Sequence, residues 1–224
     1  MLNKKITMDM THGSLWNKIL MFALPLAASS ILQQLFNSVD TAVVGRFASS
    51  QALAAVGSNS SLISLMINLF IGISLGSNVV IAHYIGQKSE KNIHAAVHTA
   101  IVVAILSGVF VMILGQFIAK PVLLLMGTPE DVIDLAVLYL RIYLIGMPFI
   151  MLYDFGSSIL RSTGDSKRPL YSLIVAGIVN TVLNLILVIV FKLGVSGVAI
   201  ATVISNVVSS SIVMVILMHE SEPI

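Results

Sequence analysis

Cysteine is absent from this 224-residue chain, and charged residues are scarce. Without cysteine there are no disulfide bonds, thiolate nucleophiles or thiolate metal ligands. Asp, Glu, Lys and Arg make up 10% of the residues, whereas a soluble domain carries about 25%. The net charge of only +2, with no basic cluster, argues against a nucleic-acid partner. The remainder is 57% hydrophobic, with a mean hydropathy of +1.01. This composition indicates an integral membrane protein.

Long apolar segments predict six membrane-spanning helices, because a span needs about 20 mostly apolar residues. The first segment is far longer than the apolar core of a signal peptide, which is about 7–15 residues, so we interpret it as a retained span. The prediction is an all-α membrane protein with a tail at 1–14, a helical region at 15–218, and a second tail or the start of a linker at 219–224. The spans are expected at about 15–44, 52–84, 93–118, 131–161, 169–191 and 194–218.

The distribution of Lys and Arg predicts the orientation of these spans. If the N-terminus is cytoplasmic, most basic residues lie on the cytoplasmic side and few lie outside, as the positive-inside rule requires. Both termini are therefore expected in the cytoplasm of a bacterial-type inner membrane. The inner group is Lys4, Lys5, Lys18, Lys88, Lys91, Arg161, Lys167 and Arg168, and the outer group is Arg46, Lys120 and Lys192.

A carboxylate near the outer end of the first span is the strongest functional signal. A charge in hydrocarbon costs roughly 2.5–3.5 kcal/mol even by insertion measurements, so Asp40 needs a partner or a function. Gln33 and Asn37 share its helix face and form a polar stripe that must face other helices or a water-filled cavity. Counted from the outer helix ends, Asn184 and Thr202 reach the same depth as Asp40, with Asn180 one turn deeper. One polar cluster drawn from three helices is therefore geometrically possible.

Other polar or helix-bending residues within the spans have competing interpretations. Asp154 either pairs with Arg161, two turns along the same face, or acts in a cytoplasmic gate. Arg141 is expected to pair with Asp134 on its own helix face, near the outer surface. Pro25 and Pro148 are expected to kink their spans, because each removes a backbone donor. A kink at Pro25 is either a gate or a static bend.

Eight short motifs along the chain carry a family resemblance. They are FALP at 22–25, LQQL at 32–35, VDTAVVGR at 39–46, ALAAVG at 52–57, YLRI at 139–142, GMP at 146–148, ILRSTGDSKRP at 159–169 and GVSGVAIAT at 194–202. In their order and spacing they resemble the N-terminal half of multidrug and toxic compound extrusion (MATE) transporters, and the similarity runs almost end to end.

The resemblance implies one six-helix lobe of a two-lobe antiporter that exchanges protons or sodium for organic cations and needs no other cofactor. It implies that Asp40 binds the coupling ion and that Asn180, Asn184 and Thr202 surround it. Some family members have an aspartate at the position of Asn184 and a tyrosine at that of Phe36. Nothing corresponding to the second lobe follows, so that lobe is expected either later in the same chain or in a second copy.

The sequence leaves alternatives open. A truncated or non-transporting membrane module is one, and a lipid-linked oligosaccharide flippase of the same superfamily is another. The flippase is disfavoured because only one arginine lies within a span. An enzyme is rejected, since no catalytic motif is present. Small organic cations and membrane lipid are the expected partners. The substrate itself, and the choice between protons and sodium at Asp40, stay open.

Overall fold

The computed structural model describes residues 15–219, which fold into helices and short connections. Helix α6, Lys167–Leu185, continues without a break as a π-helical segment, Ile186–Val190. The predicted tail at 1–14 lies outside the described residues, as do residues 220–224 of the tail predicted at 219–224. The helices are α1 Leu15–Phe47, α2 Ser50–Gly86, α3 Glu90–Leu125, α4 Ile133–Ile145, α5 Met147–Ser162, α6 Lys167–Leu185 and α7 Gly194–Met218.

The helices account for the six predicted spans. Within the described residues, five are long and apolar enough to cross a membrane, and α4 and α5 together would form a sixth that is bent by 47°. The third helix runs past the predicted end at residue 118 to Leu125, so the apolar stretch after Pro121 completes that helix. The all-α, six-helix prediction is confirmed.

The bend between α4 and α5 has an identifiable cause. Gly146 ends α4, and Pro148 lies in the first turn of α5, where its missing N–H costs no helical hydrogen bond. Gly108 of α3 packs against this corner so closely that a Cβ there would lie 2.5 Å from the Cα of Pro148. The predicted bend at Pro148 is confirmed. α1 continues as a helix through Pro25, and the kink expected there stays a prediction.

Large apolar side chains cover the outside of the molecule. Phe110 is 64% exposed and Phe117 is 75% exposed, and many leucines and valines are similarly open. A soluble domain would bury such side chains, whereas a bilayer solvates them. The interior is formed by smaller or fully enclosed groups, including Ala104, Phe155 and Ala199.

The two ends of the bundle differ in their connections. The Lys192 end, as we name it, carries the connections α1–α2, α3–α4 and α6–α7, and the Arg161 end carries α2–α3 and α5–α6. At the Arg161 end, Asp165 caps α6 by accepting the backbone N–H groups of Lys167 and Arg168 at 3.0 and 3.1 Å. Gly164 has φ +85°, a conformation that suits glycine, so the chain turns tightly here.

Candidate functional site: the Asp40 cluster

Asp40 lies in the last third of α1 and faces α6 and α7. Its exposed fraction is 7%, and those of Asn180 and Asn184 on α6 are 4% and 0%. Thr202 reaches the same place from α7 and is half-buried. The structure therefore brings together the four residues that the depth comparison selected, and we call them the Asp40 cluster.

Hydrogen bonds close the Asp40 cluster into a ring. The Asn184 amide donates to Oδ1 of Asp40 and, at 3.1 Å, to Oδ1 of Asn180. The Asn180 amide donates to Oγ1 of Thr202 at 3.4 Å, and that hydroxyl lies 3.4 Å from Oδ2 of Asp40. Each carboxylate oxygen therefore has a donor, one from α6 and one from α7. This satisfies a charge that would otherwise be buried without a partner.

The Thr202 hydroxyl gives the ring two states. It has one hydrogen and two acceptors, Oδ2 of Asp40 at 3.4 Å and the Val198 carbonyl at 3.0 Å. With Asp40 ionised, the hydroxyl donates to the carboxylate. With Asp40 protonated, the acid can donate to Oγ1 while the hydroxyl donates to Val198. The same heavy-atom arrangement thus accommodates both forms of the carboxyl group.

Close packing of α1 on α6 holds Asp40 in this position. Phe36, one turn before Asp40, lies directly over Gly177, where a Cβ would fall 1.8 Å from the ring. Gly177 is about one turn before Asn180, so this contact sets the separation of the two helices beside the ring. The phenylalanine at this position therefore acts by packing.

The predicted polar stripe only partly joins the Asp40 cluster. Gln33 is half-buried and Asn37 is exposed, and neither side chain hydrogen-bonds to Asp40. They lie on the same side of α1, toward the Arg161 end. In the part of the chain that the structure describes, the polar side of α1 beside Asp40 is therefore only partly covered.

The predicted pairing of Arg141 with Asp134 is wrong. The Asp134 carboxylate lies 3.6 Å from Nζ of Lys120, and both side chains are exposed. Arg141 is exposed, and its backbone carbonyl accepts a hydrogen bond from Gln116 at 3.0 Å. Seven residues of helix separate Asp134 from Arg141 by about 10 Å, whereas the end of α3 brings Lys120 close to the first turn of α4.

Asp154 and Arg161 share a face of α5 without forming an ion pair in the described structure. Oδ2 of Asp154 and Nε of Arg161 are each buried and have no hydrogen-bond partner. Oγ of Ser157, between them on that face, is in the same situation. The direct pairing considered from the sequence is therefore not formed, and a role in gating stays a prediction.

Sequence reasoning missed two interhelical amide hydrogen bonds from α2. Asn59 is fully buried and donates to the Ala136 carbonyl of α4 at 3.0 Å. Asn78 donates to the Ser158 carbonyl of α5 at 2.8 Å. Interhelical amide bonds of this kind join membrane helices. The signal was an asparagine within a predicted span, the same kind of signal that pointed to Asp40.

Comparison with known proteins agrees with this architecture. The family model described as MatE matches residues 25–186. The chain belongs to the MATE family. A MATE crystal structure in a bent conformation superposes with a TM-score of 0.87 at 26% identity, over 94% of this chain and 47% of that one.

Relatives with assigned names extend the comparison. The chain is 37% identical over 223 residues to the probable multidrug resistance protein YoeA of Bacillus subtilis (strain 168), covering 98% of this chain and 48% of that protein. It is 29% identical to the probable multidrug resistance protein YpnP of the same strain, over 88% and 44% of the two chains. A protein of Shewanella oneidensis named FAD transporter is 26% identical, over 79% and 40%. The chain spans about half the length of the curated relatives it matches.

Proposed function

We propose that this chain is one lobe of a cation-coupled antiporter that exports organic cations or drugs, and that the Asp40 cluster binds the coupling ion. The observation that carries the proposal is a buried carboxylate held by donors from two other helices. Such a group is expensive in a membrane, and intramembrane acids characteristically serve proton relays and ion pathways. Membership of a family whose relatives are named multidrug resistance proteins supports export as the direction of transport.

A proton is the coupling ion that the ring geometry favours. The Thr202 hydroxyl can turn from Asp40 to Val198, so gain or loss of one proton leaves no buried donor or acceptor newly unpaired. A site that is satisfied in both states can exchange protons without rearranging the helices around it. Protonation would then be the event that couples Asp40 to the movement of substrate.

Sodium is the second candidate, and one atom favours it. Oδ1 of Asn184 is buried and has no hydrogen-bond partner. Rotation of that amide would turn an oxygen toward the Asp40 carboxylate and create two oxygen ligands for a cation. Proton-driven and sodium-driven efflux must therefore be compared in the same preparation.

Asp40→Asn tests the proposal. In membrane vesicles containing the transporter, we expect the variant to insert normally and to lose ion-driven efflux of a cationic dye. Asp134→Asn is the control, because it removes an exposed carboxylate that lies 3.6 Å from Lys120 and is no part of the Asp40 cluster. Undiminished dye efflux by Asp40→Asn would overturn the assignment. Driving efflux with a pH gradient or with a sodium gradient identifies the coupling ion.

The distribution of basic residues supports a multi-pass inner-membrane protein with cytoplasmic termini. In that orientation the Lys192 end is outside and the Arg161 end is cytoplasmic. A second six-helix lobe, in the same polypeptide or a second copy, would complete the transport cavity. The relative named FAD transporter makes a flavin nucleotide the alternative substrate class, and competition of FAD with dye efflux tests it.

A further inference from the structure

A cavity of about 420 Å³ opens at the Lys192 end of the bundle. It lies between the α1–α2 connection, the start of α4, the π-helical segment and the start of α7. Phe47 and Leu193 in its lining are 52% and 42% exposed, so the cavity communicates with the surface. Its lining contains one charged residue, Lys192. The cavity therefore brings solvent toward the Asp40 cluster from the side away from Gln33 and Asn37.

Three buried valines lie one helical turn from the Asp40 cluster, on the side of this cavity. Each lies four residues, about one helical turn, from a member of the cluster, on the side of the Lys192 end. Val44 follows Asp40, Val188 follows Asn184, and Val198 precedes Thr202 on the antiparallel α7. The exposed fractions of these valines are 0%, 2% and 0%, in that order.

The valines belong to one apolar core. All three are part of the same apolar core, and the segments that carry them, α1, the π-helical segment and α7, pack on one another in pairs. Val188 also lines the cavity, so its side chain lies between the cavity and the turn that carries Asn184. Apolar constrictions of this kind stop ions and protons because they exclude the water that would conduct them.

We propose that Val44, Val188 and Val198 form an apolar seal that isolates the Asp40 cluster from the cavity at the Lys192 end. The coupling ion then reaches Asp40 only along the polar side of α1, past Gln33 and Asn37. The positive charge of Lys192 at the cavity adds an electrostatic barrier to cations. The proposal rests on the coupling role of Asp40. In it, these valines prevent the coupling ion from leaking past Asp40 to the cavity without transport.

Threonine substitutions test the seal, because threonine has nearly the shape of valine but carries a hydroxyl that binds water. The protein is reconstituted in liposomes, and the collapse of an imposed pH gradient is followed without substrate. We expect Val188→Thr and Val198→Thr each to accelerate the collapse several-fold. Val213→Thr is the matched control, since Val213 is equally buried on α7 but lies toward the Arg161 end, and it should keep the wild-type rate.

Two further variants keep the result interpretable. Adding Asp40→Asn to Val188→Thr should return the collapse to the wild-type rate, because the leak would pass through Asp40. Val188→Leu, which keeps the layer apolar, should not leak. Correctly folded Val188→Thr and Val198→Thr proteins that hold the gradient as well as the wild type would overturn the seal. This readout needs no dye efflux, so its failure is distinct from failure of the proposed function.

Discussion

At the scale of single residues, the Thr202 hydroxyl is the part of the Asp40 cluster that changes partner. Its 3.0 Å contact with the Val198 carbonyl is shorter than its 3.4 Å contact with Asp40, so both acceptors compete for one hydrogen. Threonines often bond back to their own helix, and here that bond provides the alternative state. The hydroxyl thus links the charge on Asp40 to the backbone of α7.

Thr202→Val should alter coupling without unfolding the protein. The hydroxyl donates to the ionised carboxylate, and a hydrogen bond to a charged group contributes about 1.5–3 kcal/mol. Its loss destabilises the ionised form of Asp40, so we expect the proton concentration for half-maximal efflux to fall about tenfold. Thr202→Ser should restore it, because serine keeps the hydroxyl.

Thr181→Val is the matched control for that experiment. The Thr181 hydroxyl bonds only to the Gly177 carbonyl of its own helix, at 2.9 Å. If Thr202→Val and Thr181→Val require the same ion concentration, the hydroxyl of Thr202 is not part of the ion site.

Depth along the helices allowed the Asp40 cluster to be predicted at the residue scale. Residues at equal distance from the ends of antiparallel spans come to one level, and polar side chains at that level cannot face lipid. Rotation about each helix axis could not be predicted in the same way. For that reason the partner of Asp134 was misassigned, and the exposure of Asn37 was not expected.

At the scale of the helices, glycine contacts fix the approach of α1 to α6. Gly177 accommodates the Phe36 ring at a separation that no other residue allows. Hydrophobic periodicity indicates that α1 packs somewhere, but it does not identify the helix that receives it. The contact therefore became visible only in the folded chain.

Gly177→Ala should displace α1 and disturb the ring beside it. The new methyl group overlaps a rigid aromatic ring, and overpacking of this kind typically costs about 1–3 kcal/mol. We expect a lower Tm for the purified protein together with weaker ion-driven efflux.

Gly72→Ala provides the comparison, because a Cβ at Gly72 meets nothing within 4 Å. In a helix interior that change should be neutral or slightly stabilising. Equal Tm values for Gly177→Ala and the wild type would contradict the packing role given to Phe36.

The bent span formed by α4 and α5 is a second feature that the sequence predicted only in part. Pro148 predicted a kink, whereas the 47° angle between α4 and α5 also depends on Gly108, which lets α3 approach the corner. Gly108 is distant in sequence, and no local pattern connects it with Pro148. The position of the bend could be predicted, but its angle could not.

At the scale of the whole molecule, the apolar segments alone predicted the six-helix architecture. Membrane helices must satisfy their backbone hydrogen bonds internally, so long apolar segments translate directly into spans. The polar side of α1 can be interpreted only in the assembled bundle. Gln33 and Asn37 would face a cavity completed by a second lobe, while the valines close the other side of the Asp40 cluster.

The measurement that tests this account most directly is infrared difference spectroscopy of the purified protein during a pH titration. It detects the acid form of a buried carboxyl group and needs neither a substrate nor a second lobe. We predict an acid-form carbonyl band that responds to pH in the wild type and in Asp154→Asn and that is missing from Asp40→Asn. A titration of Asp40→Asn identical to that of the wild type would contradict the claim that Asp40 exchanges the coupling proton.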